Sequence, residues 1–365
     1  MRGNVFHSSR RITQGRVLQR NHEVTRPLDI SQTEFKKILL IRFARLGDVI
    51  LLIPSIRALR SRYPKARIEV LVDHRYAPIL EMCSAVDRVI PVDRLEIRDG
   101  GKMWAIGKMF RLAQELRTAT YDLVLDFHSF RETHLLTWYT GARWRLGLKR
   151  VQSPYWPFCF NLGPVLEDDA LHVSAVFLSI LDFLGISPVS NGHLLDLSPE
   201  LKQEADSFLN RHPVEAGALR IGFNLGAGSH SRTWPPERFA ELAERITQRH
   251  KAVIIAFSGP NEELLSSEFC RRVRSTRVIP APNLALPQLA ALFNRCHVLV
   301  SNDTGPMHLG AAAGVPTLGL FSVARPNHYH PLGASSRTVS CASIEQLDTE
   351  TVYQHFLQIL VSLPT

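Results

Sequence analysis

Short apolar runs, each followed by a tight turn and then by a stretch of helical periodicity, recur along this chain, and that alternation leaves few folds open to it. The first run, Ile38-Leu39-Leu40-Ile41-Arg42-Phe43, suits a strand buried on both faces. Arg45-Leu46-Gly47-Asp48 then turns the chain. Val49, Leu52, Ile53, Ile56 and Leu59 share one face of a helix that ends near Tyr63-Pro64, and Pro54 falls in its first turns, where proline is best tolerated. Residues 68–72, 89–92 and 123–127 read as further strands, and 103–116 carries helical periodicity. Strands alternating with helices in this way predict a parallel sheet with helices on both faces.

A second set begins after a polar, proline-bearing stretch over 187–199. A helix over 199–210 leads to a strand at 221–225, and a glycine-rich turn precedes a helix over 235–249. Strands follow at 253–257, 278–279, 298–301 and 315–321. Between them lie a helix opened by Gly259-Pro260-Asn261 and helices over 286–294 and 304–313. The chain closes on a helical stretch at 344–363. At 365 residues it is long for one domain and sufficient for two, each with its own core. Two such units in tandem predict an α/β protein with two Rossmann-like domains facing across a cleft, where a ligand binds.

Composition removes several function classes. Cys83, Cys159, Cys270, Cys296 and Cys341 are far apart and show no ligand spacing, so neither a zinc site nor a disulfide framework is expected. No apolar run approaches the roughly 18 residues of a spanning helix. The formal charge is +9, but residues 1–30 hold six arginines against Glu23 and Asp29, so much of the excess sits in a polar leader. That leader lacks the apolar segment of a secretory signal. Residues 1–35 are expected to be disordered, and a cytoplasmic location is the default. No basic stripe interleaved with aromatics appears, so nucleic acid is not an expected partner.

Three turns carry candidate chemistry. In Arg45-Leu46-Gly47-Asp48, Gly47 permits a sharp turn, and Asp48 either caps the helix or stands at the cleft rim as a general base. In Leu225-Gly226-Ala227-Gly228-Ser229-His230-Ser231-Arg232-Thr233-Trp234-Pro235, the glycines allow backbone N–H groups near a phosphate. Ser229 and Ser231 offer hydroxyls, Arg232 a delocalised charge, and the helix near Pro235 its positive end. A plain strand-to-helix loop is the competing reading. In Ser301-Asn302-Asp303-Thr304-Gly305-Pro306-Met307-His308, Thr304 and Gly305 open an alanine-rich helix as a second anion-ready end. Alternatively Asp303 or Thr304 caps that helix and His308 is a core histidine.

Taken together, these blocks resemble glycosyltransferase family 9, the lipopolysaccharide heptosyltransferases. Residues 37–54 with Gly47-Asp48 are similar to the family's opening. Arg232-Thr233-Trp234-Pro235-Pro236-Glu237-Arg238-Phe239 is similar to its phosphate segment, and 301–321 to its Asp-Thr-Gly-x-x-His helix and Gly-Val-Pro strand. The resemblance extends from about residue 36 to 325. It implies a GT-B fold with an acceptor-binding domain over 36–187, a donor-binding domain over 188–340, and a terminal helix over 341–365 that packs back on the first domain. It also implies metal-independent, cofactor-free, inverting transfer of a sugar from a nucleoside-diphosphate donor, ADP-heptose in particular. The acceptor would be a glycan or glycolipid such as the lipopolysaccharide core, reached at the cytoplasmic face of the inner membrane.

Residue by residue, the resemblance makes Asp48 the base, with Arg45 and Gly47 on its acceptor side. Gly228, Ser229 and Arg232 meet the donor diphosphate. Asp303, Thr304 and Gly305 bind donor sugar and diphosphate, with His308 nearby, and Glu262 or Glu263 reaches the ribose. Pro306-Met307 departs from the small or apolar pair usual between Gly305 and His308. The tryptophan- and proline-rich segment 145–164 is individual to this chain, read either as shaping the acceptor site or as a loop over the cleft. A sugar-nucleotide epimerase or a non-catalytic sugar-nucleotide binder shares the expected architecture. The epimerase would need further acid/base groups around the donor sugar, and the binder would be indifferent to loss of Asp48.

Overall fold

A computed structural model describes residues 30 and 32–363, except 95, 97–100, 152, 189–193, 213, 276 and 323–324. In the first half the order is β1 (Lys37–Arg42), α1 (Leu46–Arg62), β2 (Arg67–Asp73), α2 (Ala77–Glu81), β3 (Arg88–Val92) and α3 (Lys102–Thr118). β4 (Leu123–Asp126), α4 (Arg131–Tyr139), β5 (Trp144–Lys149), β6 (Val165–Leu166) and α5 (Val173–Asp182) complete it. The second half runs α6 (Pro199–Asn210), β7 (Leu219–Asn224), α7 (Pro236–Arg249), β8 (Ala252–Ser258), α8 (Glu263–Arg272), β9 (Val278–Pro282) and α9 (Leu286–Phe293). It ends with β10 (Val298–Asn302), α10 (Gly305–Ala312), β11 (Thr317–Phe321), α11 (Pro326–Tyr329), β12 (Arg337–Ser340) and α12 (Thr349–Val361).

Each half forms a six-stranded parallel sheet of the same order, β3-β2-β1-β4-β5-β6 and β9-β8-β7-β10-β11-β12. This is the doubly wound order, in which the chain reverses direction across the sheet between its first and fourth strands. The continuous apolar runs become central strands: every residue of β8 is buried, as are the last five of β1. The expected α/β fold of two Rossmann-like units is what the chain adopts.

Helix α1 is buried on most sides because it packs against its own sheet, against α5 and against α10 of the other half. Pro54 therefore lies in the helix interior, not in its first turns. Its ring withholds one backbone hydrogen bond, and the all-round burial of Val49–Leu59 neighbours offsets that loss.

Three expectations change. Ile30 and Phe35 are buried, Phe35 lying edge-on to Tyr63 at 5.1 Å, so the last residues assigned to the leader belong to the core; residues 1–29 lie outside the described residues. Residues 144–149 form β5, paired in register with β4, where a loop over the cleft was one reading of 145–164. The terminal helix does not cross back to the first sheet. Val352, Tyr353, Phe356 and Ile359 of α12 join Ile221, Phe223 and Phe239 in a core made wholly of second-half residues. Its apolar face is satisfied there, beside α7.

Candidate active site

The loops leaving β1 and β4 stand at the reversal point of the first sheet, and those leaving β7 and β10 at that of the second. In open parallel sheets ligands bind in that crevice. Two adjoining cavities open there. The larger, about 600 Å³, is lined by Gly226, Ala227, Gly228, Arg232, Glu262, Thr304 and Gly305 from the second half, and by Arg45, Leu46 and Gly47 from the first. The smaller, about 430 Å³, is lined by Arg42, Asp48, Arg94, His128, Arg150 and Glu167, with His328 and Tyr329 facing them from the second half. Arg45, Arg75 and Tyr76 border both cavities.

Asp48 is the third residue of α1, within reach of the positive end of the helix dipole. It does not cap the helix: Arg45 holds the cap position, without a side-chain cap bond. The Asp48 carboxylate instead meets the Arg42 guanidinium, Nη2 to Oδ1, at 2.8 Å. Arg42 is fixed in turn. Its Nη1 donates to the Phe127 carbonyl at 2.8 Å, and its guanidinium lies 4.7 Å from the Phe177 ring centroid. Arg42 is 5% exposed, so the carboxylate is its buried counter-charge. Asp48 thus presents an oriented oxygen to the smaller cavity.

Arg150 extends this framework. It donates to the His128 carbonyl at 2.7 Å and to Glu167 at 2.6 Å. The bond to His128, with another from Nη2 to the Phe127 carbonyl at 3.1 Å, holds the loop after β4, where Ser129 takes a positive φ of 50°. The Asp126 carboxylate accepts the backbone N–H groups of His128 and Ser129 at 3.0 and 2.7 Å, which stabilises that bend. Burial pushes the Asp126 carboxyl up to about 6 in spite of those bonds. Burial also drives His128 down to about 4, so its ring is neutral near pH 7.

In the second half, Asn224 at the end of β7 donates to Ser301 Oγ at 3.0 Å and to Thr304 Oγ1 at 3.2 Å, fixing the start of α10 against β7. Arg232 reaches Asp303, Nη1 to Oδ2 at 3.6 Å, and Ser229 Oγ accepts from its Nε at 3.2 Å. Burial raises the Asp303 carboxyl, and Arg232 opposes that shift. Glu262 turns inward because the Gly259 N–H donates to its Oε2 at 2.6 Å.

The two halves touch where their helices begin. A Cβ on Gly47 would lie 2.7 Å from His308 Cδ2, and one on Gly305 would lie 2.7 Å from Leu46 Cβ. Only glycine lets the first turns of α1 and α10 come this close. Gly47, expected on the acceptor side, therefore lines the larger cavity and backs onto His308. The helix starts that reach this cavity are those of α1 and α10, together with Glu262 at the cap of α8 and Leu286 at the first position of α9. The helix at Pro236, expected to aim its positive end here, does not line it, because Trp234 just before it is fully buried in the second core.

Of the residues singled out in the sequence, Gly228, Arg232, Glu262, Thr304, Gly305, Arg45 and Gly47 line the larger cavity and Asp48 the smaller. Glu263 is exposed and lines neither. Ser229 and Asp303 stand behind Arg232, and His308 lies behind Gly47. Sequence reasoning passed over Arg42, Arg75, Arg94, His128 and Arg150. Arg42 had a signal, a charge inside an otherwise apolar run; the others come from the ends of separate strands and have no common spacing.

His308 is 5% exposed, and burial pushes its ring down to about 4. Between pH about 6.5 and 4 the unfolded chain binds a proton here that the folded chain refuses, so folding weakens as pH falls through that window. Asp126 acts in the opposite sense. The His308 part is read from a variant: His308→Gln should lose less melting temperature than wild type between pH 7 and pH 5. Equal losses would show that this imidazole does not stay neutral in the fold.

Among the described residues no group of three His, Cys, Asp or Glu gathers that could hold a metal ion. The glycosyltransferase family 9 (heptosyltransferase) model matches residues 109–357. Lipopolysaccharide heptosyltransferase 1 of Pseudomonas aeruginosa is 26% identical over 312 residues, which cover 82% of each chain. A family 9 glycosyl transferase structure from Veillonella parvula superposes with a TM-score of 0.81 at 24% identity, covering 92% of this chain and 99% of that one. The E. coli heptosyltransferase WaaC with ADP superposes with a TM-score of 0.73 at 21% identity, covering 88% and 99%. At these identities the two structures establish the shared fold.

Proposed function

We propose, since this chain belongs to glycosyltransferase family 9 (heptosyltransferase), that it transfers heptose from ADP-heptose to a hydroxyl of a lipopolysaccharide core. The observation that carries the reading is Asp48, a carboxylate oriented by Arg42 and set in the small cavity beside the larger one that the starts of α1 and α10 line. In this reading the larger cavity takes the donor, with its diphosphate along the backbone of residues 226–228 and its ribose toward Glu262. The acceptor hydroxyl enters the smaller cavity.

Asp48 removes the hydroxyl proton as the oxygen attacks the anomeric carbon from the face opposite ADP. The bond between that carbon and the diphosphate oxygen breaks, and negative charge gathers on the departing ADP. Arg232 and the starts of α1 and α10 meet that charge. The configuration at the anomeric carbon inverts. Residues 36–187 serve as the acceptor domain and 188–340 as the donor domain.

Five arginines, Arg42, Arg45, Arg75, Arg94 and Arg150, border the acceptor cavity, against the carboxylates Asp48 and Glu167. That balance supports an acceptor carrying anionic groups. A lipid-borne core brings the chain to the cytoplasmic face of the inner membrane, and among the described residues no helix is long and apolar enough to cross one.

Calorimetry with ADP-heptose, ADP-glucose, UDP-glucose and GDP-glucose, followed by transfer to a heptose-deficient core, tests the reading. Selective ADP-heptose binding with formation of an inverted product is expected. Binding of a different donor alone would move the assignment to another sugar, and no binding at all would remove it. Arg232→Ala should weaken donor binding about 10- to 100-fold, as expected for losing a charge-assisted contact to the diphosphate. Unchanged donor affinity would exclude Arg232 from that contact.

A further inference from the structure

Eleven large apolar side chains are exposed among the described residues, and nine of them fall between positions 106 and 171 of the first half. So uneven a spread calls for a local cause, since isolated exposed apolar residues are ordinary but a concentration of them is not. Ile106 and Phe110 stand four residues apart on α3, and Leu135 and Trp138 three apart on α4, so each helix turns an apolar pair outward. Phe158 follows on the short turn 157–159, its ring stacked on Trp156 at 6.0 Å. These elements are neighbours: α3 packs on α4, and α4 on the 157–159 turn. Phe110 is 58% exposed, Trp138 50% and Phe158 62%.

The charge around them is one-sided. Residues 101–160 contain nine Lys and Arg against four Asp and Glu, and one of the four, Asp126, is fully buried. Arg111 and Arg117 of α3 and Arg131 of α4 are exposed, as is Arg143 between α4 and β5. A second copy of this face would bring like charge to like charge, which is unfavourable. An anionic lipid surface answers both features at once, with aromatic and aliphatic side chains at the headgroup boundary and cations above them. Phe130, at the start of α4, borders the acceptor cavity, so the face adjoins the entrance a lipid-borne acceptor would use.

We infer that the outer face of α3, α4 and the 155–158 segment docks on an anionic lipid bilayer, inserting Phe110, Trp138 and Phe158 beside the acceptor cavity. The inference rests on the glycolipid acceptor proposed above.

The test uses the full chain with vesicles of phosphatidylcholine alone and of phosphatidylcholine mixed with phosphatidylglycerol. Wild type should co-sediment with the mixed vesicles, and the Phe110→Ser/Trp138→Ser/Phe158→Ser variant should bind them roughly ten- to a hundredfold more weakly. Transfer from ADP-heptose to a deacylated, water-soluble acceptor should be unchanged in that variant, which verifies its fold. A gentler substitution guards against misfolding: brominated lipid should quench wild-type tryptophan fluorescence, and Trp138→Phe should lose a distinct part of that quenching.

Failure of wild type to bind mixed vesicles overturns the inference. Equal binding by wild type and triple variant also overturns it and assigns the attraction to another basic part of the chain. A wild-type dimer that the triple variant dissociates would identify the face as a contact between copies instead. Absence of transfer to any acceptor would count against the proposed function alone, because the vesicle readout needs neither donor nor turnover.

Discussion

Asp48→Asn should lower turnover about 10²- to 10⁴-fold, the usual contribution of a positioned general base, while donor affinity stays within about twofold. The asymmetry follows from placement. Asp48 borders the smaller cavity, and the larger one is bounded at this point by its neighbour Gly47. The amide keeps an oxygen for Arg42 but cannot take a proton. Arg42 then loses its counter-charge while remaining buried, so a moderate drop in melting temperature accompanies the kinetic loss. Calorimetric donor binding by the variant shows that the cleft is intact. Turnover near that of wild type would remove Asp48 from the role of base, and loss of donor binding would mean that its charge organises the whole cleft.

The largest stability effect is expected at Trp234. This side chain is fully buried, its Nε1–H donates to the Leu347 carbonyl at 2.8 Å, and its ring meets Phe239 edge-on at 4.8 Å. Its backbone N–H donates to Asn302 Oδ1 at 3.0 Å. One residue thus ties the loop after β7 to the end of β10 and to the segment before α12. Trp234→Ala removes a large buried ring and leaves a carbonyl unpaired, a loss of about 3–5 kcal/mol. Because Arg232 lies two residues away, donor affinity should fall as well. Trp234→Phe keeps most of the packing and should cost about 1–2 kcal/mol. Denaturant unfolding measures both, and a loss under about 1 kcal/mol for the alanine variant would show that the cavity collapses.

Much of the fold was legible because its signals are local. β1 and β8 carry continuous apolar runs and β10 opens on one, and in parallel sheets such runs are central strands. The turns after β1, β7 and β10 carried the glycines and polar residues that line the cleft. β5 escaped because Trp144-Arg145-Leu146-Gly147-Leu148-Lys149 mixes charge with apolar residues. Arg145 is accommodated by two carbonyls, Cys159 at 2.9 Å and Ala142 at 2.5 Å. The face of α12 was visible in its periodicity, but periodicity does not say which sheet receives it. The arginine framework of the smaller cavity was the least legible part. Arg75 follows β2, Arg94 follows β3 and Arg150 follows β5, and only the order of strands in the sheet makes them neighbours.

The contact between Gly47 and His308 and that between Gly305 and Leu46 have a consequence for how such a protein could be re-engineered or could diverge. Because bare backbone at Gly47 meets the His308 ring and bare backbone at Gly305 meets the Leu46 side chain, the gap between Asp48 and the start of α10 is gauged by these two packed contacts and not by the polar residues of either cavity. The lining of either cavity can then be rewritten, at Arg94 and His128 on one side or at Glu262 on the other, without resetting that gauge. Diversification of what is carried, and of what receives it, is thereby uncoupled from the distance over which the sugar moves. Gly47→Val would be the converse experiment, a shim driven against the His308 ring that spaces the two halves apart.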